Sequence, residues 1–245
     1  SNSELKRFAY VASHDLQEPL NHVSNYVQLL EMRYSERLDA DAKDFIGFAV
    51  EGVSLMQTLI DDVLVYSKVD SQSGEFTITD AQFALEQALT NLQRKIHDSD
   101  AEIIIADPLP TLKADSTQLM QLFQNLIVNA LKFRSAASPK IEIGFERQEN
   151  EWLFSVRDNG IGIDPQFSDR IFIIFQRLHT RDEYPGTGMG LAICKKIIEC
   201  HRGKIWVESE LGTGSTFYFT IPVGGPGHDL RNGRKGKNYS VGGGQ

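Results

Sequence analysis

The sequence predicts an α+β protein in which a helical hairpin, pairing into a dimeric four-helix bundle, precedes an α/β sandwich. Three observations carry this reading. Two long stretches before residue 70 repeat apolar residues at helical spacing. After "SQSG" the texture changes to helices interleaved with short strand-like runs. The order of those runs suits helices covering one face of a mixed sheet. The units are residues 1–70 and 75–223, with the boundary near Ser71–Gly74 and a tail over 224–245.

In the first helix, Glu4 to about Arg33, the apolar positions are Phe8, Ala12, Leu16, Leu20, Val23, Val27 and Leu30. At about 100° per residue they fall in one band. After the polar break "YSERLDADA" a second helix runs from about Asp41 to Val69, with Phe45, Ala49, Met56, Leu59, Ile60 and Val63 on its seam. A lone hairpin leaves much of such a stripe uncovered, and a second copy is the natural cover.

In the second unit a helix over Ala81–Ile96 precedes the short strand "EIIIA" and a turn at "DPLP". Asp115, with Gln118 three later, gives a capping-box-like start to a helix over Ser116–Phe133. Strands "KIEIGFER" and "EWLFSVRD" follow, then a short helix near Ser168–Phe175. A helix over Gly188–Cys200 and strands "KIWVESE" and "STFYFTIP" close the unit. The glycine-rich tail is too poor in apolar residues to bury a core, which predicts flexibility.

The chain of 245 residues is 41% hydrophobic and 24% charged, with no apolar run long enough for a bilayer. A formal net charge of -8 argues against a broad basic face for nucleic acid. Cys194 and Cys200 stand roughly 9 Å apart along one helix axis, too far for an internal disulfide. Together with the absence of a recognisable signal peptide, this predicts reduced packing cysteines in a cytoplasmic protein without membrane contact.

Four segments of the second unit carry possible ligand chemistry. In "NLIVNALKF", Asn125 and Asn129 are one turn apart, with Lys132 three further on. An amide oxygen suits Mg²⁺ and a lysine suits phosphate, although a solvated edge of a packed helix would read the same. In "DNGIGI", Asp158 offers an acceptor for an exocyclic amine, and Gly160 and Gly162 permit close backbone approach. An ordinary turn would also use Asp-Asn-Gly. In "GTGMGLAI", Gly186, Gly188 and Gly190 open a helix whose free amides favour phosphate. It is not a P-loop, because no Gly-Lys-Ser/Thr follows. The fourth, "GTGSTFYF", turns into the last strand.

In their order and spacing these segments resemble the N, G1 and G2 boxes of the ATP-binding domain of sensor histidine kinases. "IFIIFQRL" resembles the F box. The wider ATPase group includes the Hsp90, gyrase and MutL ATPase domains. "FAYVASHDLQEPL" resembles the H box of the phosphoacceptor domain, in the variant of phytochrome-like and PAS-linked kinases. A histidine on a helix is ordinarily a surface residue of no consequence. Here His14 projects about 160° from the apolar band and is predicted exposed. Glu18, Asn21 and Asn25 continue its face as a polar strip, and Pro19 is predicted to loosen or bend the helix.

The resemblance, which spans roughly Leu5 to Pro222, implies ATP-dependent phosphorylation of His14 and transfer to an aspartate on a response regulator receiver domain. It implies Asp15 as orienting acid and Asn129 as the Mg²⁺ ligand beside Asn125. Lys132 would contact phosphate, Arg177 would be the lid cation, and Asp158 with Thr216 would bind adenine. The three glycines would let a lid fold over the triphosphate. It also implies a homodimer and an upstream sensor domain. Members with phosphatase activity carry Thr or Asn four residues after the histidine. Glu18 stands there instead, which predicts weak phosphatase activity. A nucleotide-driven clamp would not need the H box, and a non-catalytic scaffold would not need Asn129, Asp158 and the glycines.

Overall fold

The computed structural model describes residues 2–71, 76–180 and 183–225, with side chains from 15 to 69 in the first stretch. Helix α1 (Asn2–Tyr34) runs through Pro19 as one helix. A 3₁₀ turn, Ser35–Arg37, leads to α2 (Ala40–Ser71). Asp39 starts α2 by accepting from the Ala42 N–H at 2.8 Å. Two polar ties cross the hairpin: Gln17 Nε2 donates to Asp61 Oδ1 and Gln57 Nε2 to Asn21 Oδ1, each at 2.8 Å. The apolar stripe is only half covered. Leu16, Val23, Leu30, Phe45, Phe48 and Met56 are exposed, and within the hairpin Val53 and Val69 are the buried apolar side chains among the described residues. The side chain of His14, the linker 72–75 and the tail from 226 lie outside the described residues.

Two short strands, β1 (Thr77–Asp80) and β3 (Thr111–Ala114), pair antiparallel. Each delivers an aspartate to a helix start. Asp80 accepts from Gln82 N and Phe83 N to cap α3 (Ala81–Asp98). Asp115 accepts from Thr117 N and Gln118 N to cap α4 (Ser116–Lys132). Sequence reasoning gave neither strand, because four residues are too few for alternation to register.

The predicted capping box closes by half. The Asp115 N–H donates to His201 Nε2 at 3.1 Å, and Gln118 instead reaches the Val69 carbonyl at 3.4 Å. His201 is fully buried, with Nδ1 2.8 Å from the Ile197 carbonyl. Burial lowers its pKa, so it is the neutral ring, with Nδ1–H donating, that ties these helices together.

The main sheet has the order β2-β4-β5-β7-β6, formed by Glu102–Ile105, Lys140–Arg147, Glu151–Asp158, Gly214–Pro222 and Ile205–Glu210. β2 pairs parallel to β4 and the other pairs are antiparallel, so the sheet is mixed. Helices α3, α4 and α5 (Gly190–Cys200) cover one face. Phe123 of α4 meets Phe154 and Phe219 edge-on, and those two stack at 4.9 Å. Cys194 is buried against α4 and its thiol is pushed up to about 12, so it packs as a reduced residue.

Two expectations need correction. The predicted helix near Ser168–Phe175 is a pair of 3₁₀ turns, Pro165–Phe167 and Arg170–Phe172. Phe175 has φ 62, a left-handed conformation that an α-helix cannot contain. For the same reason α5 starts at Gly190 rather than Gly188, whose φ is 80. The exit of α2 is also pinned. The Val69 carbonyl receives Gln118 Nε2 of α4 and, at 3.8 Å, Cys200 Sγ of α5.

Candidate functional site

A cavity of about 740 Å³ lies between α4, the end of β5, residues 176–179 and 184–190, and α2. Asn125, Asn129, Lys132, Asp158, Gly162, Arg177, Gly186, Gly188 and Gly190 all line it. Helical spacing explains the first three, because positions 125, 129 and 132 share one face of α4.

Asp158 is held by two backbone donors on one oxygen. Oδ1 accepts from Gly160 N at 2.8 Å and Ser215 N at 3.3 Å. Oδ2 carries no hydrogen bond among the described residues, and Asp158 faces the cavity. Burial raises its pKa and the two N–H groups pull it back. Gly160 thus acts from behind the carboxylate rather than on the wall. At Gly162, with φ 72, a side chain would collide with the Glu210 carbonyl, so this close approach requires glycine.

Basic side chains line the same cavity. Burial, with Arg177 nearby, lowers the Lys132 pKa from 10.5 to about 8. Its Nζ sits 4.2 Å from the centroid of the Phe133 ring. Arg177 spends its guanidinium on backbone: it donates to the carbonyls of Thr180 (3.0 Å), Tyr184 (2.7 Å) and Gly186. Here it ties Thr180, Tyr184 and Gly186 together. Gly188 lets this segment pack tightly, since a Cβ there would lie 2.9 Å from the Gln176 carbonyl. Phe133, His179 and Tyr184 cluster over it, with ring centroids 4.9–5.9 Å apart.

The two asparagines differ. Asn125 Nδ2 donates to the Gly190 carbonyl at 3.2 Å, and its Oδ1 accepts from Gln121 at 3.0 Å. It joins α4 to α5. Asn129 carries no side-chain hydrogen bond among the described residues and faces the cavity.

Residues 4–72 match the His Kinase A (phospho-acceptor) domain, and residues 114–225 match the histidine kinase-, DNA gyrase B-, and HSP90-like ATPase family. The catalytic domain of histidine kinase ThkA is 31% identical, with TM-score 0.53 over 61% of this chain and 96% of that one. The chain belongs to the histidine kinases. Cyanobacterial phytochrome A of Nostoc sp. is 74% identical over 238 residues, 97% of this chain and 31% of that protein's length. The structure of full-length ShkA in complex with AMPPNP gives TM-score 0.67 at 29% identity, covering 88% of this chain and 45% of that one.

In this kinase Thr216 does not reach the cavity. It lies between Arg157 and Glu208 in the sheet, both exposed, on the face opposite the helices. Ser215 and Phe217, its neighbours on the strand, line the cavity instead. Alternation held the signal, since Ser215 shares parity with the buried Phe217 and Phe219. The sequence reading also missed Thr58 and Asp62 of α2, which line the same cavity. Asp15, Glu18 and Asn21 stay on α1 and line no part of it. Glu18 and Asn21 instead join Gln17, His22 and Asn25 around a smaller groove of about 380 Å³.

The donor set fits a magnesium ion carried with a triphosphate. Among the described residues no group of three or more His, Cys, Asp or Glu forms a protein cage. Mg²⁺ commonly takes one or two protein oxygens and completes its shell with phosphate and water, and the Asn129 amide oxygen meets that demand. No helix of the described residues is long and apolar enough to cross a membrane.

Proposed function

We propose that this protein binds ATP in the large cavity, undergoes ATP-dependent autophosphorylation at His14 and passes the phosphoryl group to an aspartate of a response regulator receiver domain. The observation that carries this is a single cavity lined both by the Asp158 acceptor and by Lys132 with the glycine segment. Asp158 Oδ2 accepts from the adenine amine, with Ser215 holding the carboxylate from behind. Lys132 meets the phosphates, and Asn129 is the protein ligand for Mg²⁺. When bound, Mg²⁺ would neutralise charge on the triphosphate.

One imidazole nitrogen of His14 attacks the γ-phosphorus as the bond to the β–γ bridging oxygen breaks and ADP departs. Asp15, next in the chain, orients the ring through its other N–H and takes up the proton. In the second step an aspartate oxygen on the receiver displaces the histidine nitrogen. The groove at Gln17, Glu18 and Asn21 is the receiver's landing strip in this reading. The half-covered hairpin stripe supports a homodimer, and the likeness to Cyanobacterial phytochrome A supports an upstream sensor domain.

Glu18 only accepts hydrogen bonds when ionised and repels an aspartyl phosphate, so regulator dephosphorylation is slow. Dephosphorylation that is fast in the parent and lost in Glu18→Ala would reverse that assignment. The main test uses γ-labelled ATP. Label should appear on the protein as an acid-labile, base-stable adduct and vanish in His14→Gln, which keeps its ATP affinity. Label persisting on histidine in that variant would refute the acceptor.

A further inference from the structure

The phosphoacceptor unit reaches into the nucleotide cavity. Asp62 of α2 lines its wall, and Oδ2 accepts a hydrogen bond from Thr187 Oγ1, between Gly186 and Gly188. The Met189 N–H donates to the same hydroxyl oxygen at 3.3 Å, so Asp62 holds the glycine segment at the mouth of α5. One turn further along α2, the Tyr66 ring lies under Lys196 Nζ of α5, at 5.9 Å.

The neighbouring stripe of α2, about 100° round the helix, faces α1. Gln57 and Asp61, each one residue earlier than Thr58 and Asp62, bond Asn21 and Gln17 of α1. One helix therefore touches the acceptor helix with one stripe and the nucleotide cavity with the next.

The charges are set against each other. The basic side chains lining the cavity are Lys95, Lys132, Arg134 and Arg177, and Arg177 is occupied by three carbonyls. Asp62 adds a carboxylate to the same cavity, with Asp61 beside it on the helix. A carboxylate there repels polyphosphate and holds the segment whose backbone amides would otherwise turn toward it.

Resting on the ATP-site reading above, we propose that Asp62 is a residue of the nucleotide site supplied by the phosphoacceptor unit. Its bond to Thr187 pins the glycine segment, and its charge opposes the triphosphate. Docking of α2 at this point and nucleotide loading therefore work against each other, and release of Asp62 accompanies ATP entry.

The test is the affinity of the full chain for a fluorescent ATP analogue with Mg²⁺, measured for the parent, Asp62→Asn and Asp62→Ala. Asn keeps an acceptor for Thr187 and removes the charge, whereas Ala removes both. Both should bind about tenfold tighter than the parent, with Ala at least as tight as Asn. Asp62 is a partly exposed helical residue and Ala is the best helix former, so the Ala variant carries the test if Asn lowers the melting temperature. Parent-like affinity in both variants would overturn the proposal. Weaker binding would overturn it too, by making Asp62 a metal ligand or a phosphate-ordering group. A parent that binds no ATP would instead sink the site reading itself.

Discussion

The two halves of this chain solve the problem of burying apolar surface in opposite ways. The ATP-binding unit encloses Phe123, Phe154, Phe219 and a shell of leucines and isoleucines with essentially no exposure. The hairpin has the longer helices, yet Phe45 and Phe48 are each 68% exposed and Met32 is 78% exposed. Its internal ties are polar, Gln17 to Asp61 and Gln57 to Asn21. The difference teaches where stability resides. One unit draws it from its own core, and the other, in the proposed homodimer, draws it from a second copy.

The sharpest way to break this comparison is at the two cores. Phe123→Ala should cost about 3–5 kcal/mol and lower the melting transition of the ATP-binding unit, because the sheet cannot close around the cavity left behind. Phe45→Ser with Phe48→Ser should leave that transition in place and convert dimer to monomer in light scattering at micromolar concentration. A parent protein already monomeric there would contradict the dimer. The second effect lies inside the site. Asp158→Asn loses a charged acceptor, worth about 1.5–3 kcal/mol, so ATP affinity should fall roughly ten- to a hundredfold by calorimetry while the hairpin's oligomeric state stays unchanged.

The smallest effect is in pH. Lys132 in the free protein loses its proton near 8, well below the ordinary 10.5. A bound triphosphate favours the charged form, so binding takes up a proton at alkaline pH. Affinity should fall as pH rises from 7 to 9, by up to about tenfold. Calorimetry in buffers of different ionisation enthalpy would show the uptake, and Lys132→Met should bind more weakly at pH 7 and lose the slope.

Long periodic elements were legible in the sequence because their signal is local. Both hairpin helices, the Asp115 start of α4 and the pair β4–β5 can be read from spacing and caps alone. The clustering of Asn129, Lys132 and Asp158 was readable from the resemblance. What escaped reading depends on neighbours far along the chain. The β1–β3 pair exists because two four-residue strands meet from opposite sides of α3. The Asp62–Thr187 bond joins residues 125 positions apart, and no local pattern signals it. Arg177 reads as a free cation in sequence, yet the carbonyls that occupy it belong to residues three to nine positions further on. Thr216 is a different kind of miss, an error of one residue that inverts a strand face.

Val69 has a mechanical consequence. Its carbonyl is gripped from two sides, by α4 and by α5, at the point where the hairpin leaves for the ATP-binding unit. Asp62 stands seven residues back along the same rigid helix, about 10 Å away at 1.5 Å per residue. Val69 is therefore a fulcrum and the last two turns of α2 are a lever arm. A tilt of about 10° at the fulcrum carries the Asp62 carboxylate through about 2 Å, more than a hydrogen bond survives. A small twist delivered along the hairpin is thus enough to let go of Thr187 without unfolding the helix, while Val63, Val65 and Tyr66, nearer the fulcrum, shift less against the core.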